Sequence, residues 1–187
     1  MSGRMQGQEF EQRENRIVAA VRSIAEEEGW SAVTVRRLAD VIGFSQPVLY
    51  KHFPRGRDEM VERVVLDGFS RLLGDLEAAS PASSEDPLPG TVTAYLRFAR
   101  RNPAVYEAMS TALTGIVFAT EETPQVLRDG FEVMRRSVGD GPDATVRAEL
   151  LWATLHGISE LARHGRLDPH LEDARLEGIL GLFGSRS

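Results

Sequence analysis

Apolar residues recur along this chain at the spacing of a helix and almost nowhere at that of a strand. This property confines the fold to helices packed on helices. Ile17, Val18, Val21, Ile24 and Ala25 form one such stripe, which predicts a first helix over 10–28, stopped by Gly29. Thr34 is placed to cap a second helix over 35–42, with Val35, Leu38, Ala39 and Ile42 inward. Gly43 supplies the positive φ of a turn. Ser45 then caps a third helix over 46–52, with Pro47 in its first turn, where a missing N–H costs nothing. A fourth helix starts at 57 or 58 and runs to 78. Later helices are expected at 91–102, 103–113, 124–138, 143–164 and 170–183. Pro103, Pro124, Pro142 and Pro169 each sit at or just before a start. Residues 80–90, SPASSEDPLPG, read as a loop, and residues 1–8 as a disordered tail.

Composition narrows the class. Of 187 residues 42% are hydrophobic and 27% charged, enough for a real core and a soluble surface. No run of 18 apolar residues offers a membrane span. The first residues lack the apolar stretch of a secretory signal. Without cysteine there is no disulfide frame and no thiolate chemistry, and the expected location is the cytoplasm. Net charge is −6, which argues against a general nucleic-acid coat protein. The charge is unevenly spread, however. Residues 1–57 hold nine Lys and Arg against seven Asp and Glu, and residues 58–187 hold thirteen against twenty-one. The chain accordingly divides into a module over 9–57 and an acidic remainder over 58–187.

The positive module contains the most specific pattern. TVRRLADVIGFSQPVLYKHF, residues 34–53, reads as helix, tight turn and short polar-faced helix, the layout of a DNA-reading helix-turn-helix. Leu49 and Phe53 would lock the third helix to its supports. Gln46 suits a base edge, most naturally adenine, and Arg36 suits guanine O6 and N7. Pro47 and Val48 suit a thymine methyl. Tyr50, Lys51, His52 and Arg57 suit phosphates, as do the helix starts at Thr34 and Ser45. A three-helix cap with a polar outer face fits the same periodicity. So does a helical interaction or small-molecule-binding protein that uses the motif as scaffold.

The string T-V-x-x-L-A-x-x-x-G-F-S-Q-P-V-L-Y-x-H-F resembles the N-terminal module of the tetracycline-repressor (TetR-type) family, over residues 14–64. The resemblance implies DNA contacts from Arg36, Gln46, Pro47, Val48, Tyr50, Lys51 and His52. It departs after Phe53: where the family has a lysine opening the fourth helix, this chain has Pro54-Arg55-Gly56-Arg57, and Arg55 or Arg57 would hold that phosphate. A seven-residue reading helix covers few base pairs, so a homodimer on a palindrome is expected.

In 143–164, apolar residues cover about half the helix circumference, wider than the ~100° one packing partner requires. Leu150, Ala153, Gly157 and Leu161 are candidate dimer contacts. Leu176, Ile179, Leu180 and Phe183 would complete a four-helix dimer bundle. Leu96, Phe98, Tyr106, Met109, Leu113, Phe118, Phe131, Met134 and Trp152 are candidate walls of a pocket for an apolar or amphipathic effector, although the same spacing also suits plain core. LLWATLHGISELARHGRL and ARRNPAVYEAM resemble stretches of the same family's C-terminal domains, which dimerise and bind effectors. The family mostly represses, so a repressor is implied.

His156, Glu160 and His164 share a helix face, but an exposed polar stripe accounts for them, and no metal or cofactor is expected. G-x-S-x-G, a glycine-rich phosphate loop and H-E-x-x-H are all absent, so no enzyme is expected. The expected fold is all-α: a three-helix DNA-binding module followed by a helical-bundle domain for dimerisation and ligand binding.

Overall fold

Helices occupy every long periodic segment among residues 2–111 and 120–184, the residues described by the computed structural model, with side chains described from residue 7. They are α1 (Ser2–Glu28), α2 (Val35–Ile42), α3 (Gln46–His52), α4 (Arg57–Ala79), α5 (Leu88–Arg101), α6 (Pro103–Thr111), α7 (Gln125–Ser137), α8 (Ala144–Arg163) and α9 (Glu172–Phe183). Single 3-10 turns stand at Trp30–Ala32 and Pro169–Leu171. Among the described residues there is no strand, and no helix is long and apolar enough to cross a membrane.

Two differences from expectation lie in the N-terminal half and the domain division. The first helix begins at Ser2 rather than following a tail to residue 8. Its opening residues include Met, Gln and Glu with no proline, and extending a helix already nucleated by a packed segment is easy. The second difference is the domain division. The chain forms two compact units, Met1–Gly68 with Asn102–Gly115, and Phe69–Arg101 with Ile116–Ser187. The expected boundary at 57 therefore moves into α4, and α6 joins the N-terminal unit.

In the first unit, Ile17, Val21, Ile24, Leu38, Leu49, Met60 and Val64 form the core, each 2% exposed or less. α6 is tied to α1 by polar contacts. Glu26 accepts from the backbone N–H groups of Ala104 and Val105, both at 3.0 Å. It thus satisfies amide donors that the first turn of a helix leaves open. Trp30 Nε1 donates to the Ala104 carbonyl at 2.8 Å. Tyr106 and Met109 are 4% and 3% exposed here.

In the second unit α5, α7 and α8 pack on one another and α9 packs on α5. Val92, Phe98, Val133, Leu151, Leu155 and Ile179 are buried. Arg147 donates to the carbonyls of Phe183 and Gly184 at the end of α9. α5 begins at Leu88, inside the expected loop, and Ser80 Oγ donates to the Pro87 carbonyl at 2.8 Å. The chain then passes so close to itself that a Cβ on Gly90 would sit 2.1 Å from the Ala79 carbonyl oxygen. Gly90→Ala is expected to destabilise the protein by about 1–3 kcal/mol, the usual cost of overpacking. The check is thermal unfolding, with a fall of several degrees.

Candidate nucleic-acid interface

The helix-turn-helix is built from local signals. Thr34 Oγ1 accepts from the Arg37 backbone N–H at 3.1 Å and so caps α2. Gly43 ends α2 with φ 70° and ψ 23°, donating to the Ala39 carbonyl, a left-handed conformation that suits glycine. Ser45 occupies the cap position of α3, but its hydroxyl makes no cap hydrogen bond. The chain capping expected of Ser45 is therefore absent, and the side chain is exposed.

α3 then presents two sides. At 100° per residue, Gln46, Tyr50, Pro47 and Lys51 fall within an arc of about 140°, and all four are exposed. Leu49 and His52 lie on the opposite side and are buried, while Val48 is half-buried. His52, expected at a phosphate, is thus an interior residue. Its side chain is 1% exposed, and the Phe10 ring stacks on its imidazole with centroids 4.0 Å apart. The periodicity contained this signal, since His52 follows Leu49 by three positions and shares its face.

The cations of this unit sort into two groups. Arg37 pairs with Glu28 at 2.7 Å and Arg55 with Glu62. Hydrogen bonds in these pairs hold the guanidinium groups above their ordinary range and the Glu62 carboxyl below its own. Arg57 donates to the backbone carbonyls of Val33 and Trp30, each at 3.1 Å, and so fastens the start of α4 to the loop before α2. Both candidates for the missing family lysine, Arg55 and Arg57, therefore have partners within the chain. Arg36 and Lys51 are exposed and, among the described residues, have no hydrogen bond or ion pair. Arg16 lies over the Phe44 ring in the turn, 4.9 Å from its centroid, a residue that the sequence reading did not single out.

The expected effector walls do not come together in one unit. Tyr106 and Met109 belong to the first unit's core, where Met109 is packed against Gly68. Leu96, Phe98, Phe131, Met134 and Trp152 belong to the second. Phe98 and Met134 are buried, and Leu96, Phe131 and Trp152 half-buried. Leu113 and Phe118 lie outside the described residues. A cavity of about 370 Å³ in the second unit is lined instead by polar residues including Ser84, Glu85, Asp86, Arg136 and Asp140. It contains none of the expected walls.

α8 carries apolar residues on two opposite faces. Ala144, Ala148, Leu151 and Leu155 are buried within the unit. Val146, Leu150 and Leu161 are 56%, 56% and 41% exposed. Ala153 is also exposed, and Gly157 has open space where a Cβ would stand. On α9, Ile179 and Phe183 are buried within the same unit, which corrects their expected place on a dimer surface. They follow each other by four residues and face the core. Leu176 and Leu180 are half-buried, and Leu182 is 74% exposed. His164 Nδ1 lies 2.8 Å from the Glu160 carbonyl oxygen one turn earlier.

Two family profiles match the chain. The one described as bacterial regulatory proteins, tetR family, covers residues 17–64, and the tetracyclin repressor-like C-terminal domain covers 88–179. Nucleoid occlusion factor SlmA of Vibrio vulnificus is 26% identical over 172 residues, 83% of this chain and 84% of that protein. An uncharacterized HTH-type transcriptional regulator of Mycobacterium tuberculosis is 26% identical over 162 residues, 84% of this chain and 73% of that protein. A crystal structure of a tetR-family regulatory protein from Rhodococcus RHA1 superposes with a TM-score of 0.68 at 22% identity, over 93% of this chain and 98% of that one.

Proposed function

Since this chain belongs to the tetR family of bacterial regulatory proteins and is thereby a DNA-binding transcription regulator, we propose that it acts as a homodimeric cytoplasmic repressor. It leaves a palindromic operator when a small apolar or amphipathic effector binds. One observation carries the DNA-reading part: Gln46, Pro47, Tyr50 and Lys51 share the outer arc of α3 and are all exposed. Gln46 reads adenine, Arg36 of α2 reads guanine, and Pro47 with the exposed edge of Val48 meets a thymine methyl. Tyr50 and Lys51 hold phosphates, with Thr34 and Ser45 at the helix starts beside them. Arg57 acts indirectly, by fixing the start of α4.

The outer face of α8 supports the dimer. Val146, Leu150, Ala153, Gly157 and Leu161 form a row of apolar and small residues, pointing about 200° away from the buried row. Leu176 and Leu180 of α9 extend it. A two-fold contact there joins two copies of α8 and α9 in a four-helix bundle. α4 starts in one compact unit and ends in the other, so an effector that displaces it shifts the population between DNA-competent and released dimers. The effector is bound by the second unit, beside Leu96, Phe131 and Trp152.

Selection of bound duplexes from a random pool tests the reading. Enrichment of a palindrome is expected, with half-sites one turn, about 34–36 Å, apart. If no sequence is enriched with or without cell extract metabolites, the sequence-specific role is wrong. A second expectation concerns the effector. With Trp30 replaced by Phe, Trp152 is the one indole left, and an apolar effector will shift or quench its emission at the concentrations that release DNA. Release without any change in emission would move the effector site elsewhere.

A further inference from the structure

His52 is the one histidine in the segments that make up the DNA-binding unit, and the structure gives it an unusual environment. Its Nδ1 is buried and, among the described residues, has no hydrogen-bond partner. Glu14 Oε1 of α1 faces it at 3.9 Å, about 1 Å beyond hydrogen-bond length. The other oxygen of that carboxylate is 3.7 Å from Arg63 Nη2 of α4. Glu14, its side chain 20% exposed, stands between groups of α3 and α4 and within hydrogen-bond distance of neither. Phe10, one turn before Glu14 on α1, covers the imidazole ring. Buried polar atoms are nearly always paired, so this open junction of three helices calls for an explanation.

We propose that His52 is a proton-operated positioning residue for DNA binding, whose protonated ring closes a charge-assisted hydrogen bond to Glu14 and ties the end of α3 to α1. The proposal rests on α3 being the DNA-reading helix. Glu14 of α1 is the charged group that faces the imidazole, and Arg63 of α4 faces the other oxygen of that carboxylate. On the near side, Lys51 is exposed, the Arg55 guanidinium donates to Glu62, and the Arg55 backbone N–H donates to Glu59. Arg63 competes for the same carboxylate, so the hold of Glu14 on α4 weakens as its hold on α3 tightens.

Two physical effects make the protonated form the tighter binder. Histidine changes charge in the physiological range, and a positive charge in the last turn of α3 favours the carbonyl end of that helix. A cation added close behind Tyr50 and Lys51 also strengthens attraction to the phosphate backbone. Linkage requires the converse, so DNA binding draws a proton onto His52.

The test uses the whole 187-residue chain and the selected operator duplex at fixed ionic strength, with fluorescence anisotropy read at about pH 8 and about pH 6. Wild type is expected to bind about tenfold more tightly at the lower pH, the size of one charge-assisted hydrogen bond. Glu14→Gln and His52→Gln should both flatten that dependence, while Lys51→Ala should weaken binding at both pH values and leave the dependence in place. A flat wild-type profile, or variants that keep the slope, overturns the proposal. If no duplex is bound at any pH, the DNA-reading assignment fails instead, and the junction is then judged on the free protein by NMR of the His52 ring. There, a slowly exchanging Nδ1 proton is expected in wild type at about pH 6 and not in Glu14→Gln, which lacks the carboxylate that would hold it. The same exchange in both proteins would refute the Glu14–His52 link without any DNA.

Discussion

Operator binding is expected to fall by two or more orders of magnitude when Gln46 is replaced by Ala, with helix content and dimer mass unchanged. The side chain sits exposed at the start of α3, so its removal leaves no cavity and breaks no internal hydrogen bond. A bidentate contact to a base contributes about 1–3 kcal/mol of discrimination. A palindrome uses it twice, giving about 2–6 kcal/mol, and each 1.4 kcal/mol is about tenfold. The loss should be confined to the selected sequence, while weak binding to unrelated duplexes stays as it was. Lys51→Ala is expected to do the opposite. It weakens binding to all sequences alike and lowers the salt dependence by about one unit per copy. Anisotropy titrations of both variants against operator and random duplex, at two salt concentrations, separate the roles. Undiminished operator affinity in the Gln46 variant would mean that α3 does not read bases through that position.

The second large effect is expected at Leu150. Leu150→Glu should convert the proposed dimer to a monomer, as measured by sedimentation equilibrium, while leaving the α-helical spectrum intact. Leu150 is 56% exposed in the single chain, so a carboxylate there is solvated in the monomer and harms nothing. In a two-fold interface the change occurs twice. Lost apolar burial costs about 1.5–3 kcal/mol per copy, and two carboxylates brought together without partners add to it. The monomer should also lose most of its operator affinity, because one short reading helix no longer acts with its twin. A Leu150→Glu protein that remains dimeric would place the interface on another face. By contrast, Leu151→Glu, one residue on, puts a charge into the core and is expected to unfold the second unit.

Helix positions, the turn at Gly43 and the outward arc of α3 were legible from the amino-acid order. Each depends on residues within about four positions of one another, where geometry is set by the local chain. The same rule would have set His52 beside Leu49 on the inner side, but the sequence reading gave it a phosphate contact, and the structure buries it. The resemblance carried the function itself, because a polar arc on a short helix has no unique meaning. The excess width of the apolar arc on α8 was legible, and Leu150 rather than Leu151 was named as a candidate dimer contact; the structure leaves Leu150 exposed and buries Leu151.

Sequence alone determined that the long periodic segments are helical, where α2, α3 and α4 start, and that Gln46, Pro47, Tyr50 and Lys51 turn outward on α3. Only the tertiary structure decided that α6 belongs with α1, through Glu26 and Trp30 reaching residues more than seventy positions away. It also decided that Arg57 is held by the carbonyls of Trp30 and Val33, and that Glu14 stands between His52 and Arg63. The physical reason is one of range. Capping, turns and periodicity are interactions between near neighbours and are therefore written in consecutive residues. The partner of a buried charge or a free backbone amide is set by which surfaces the packed helices bring together.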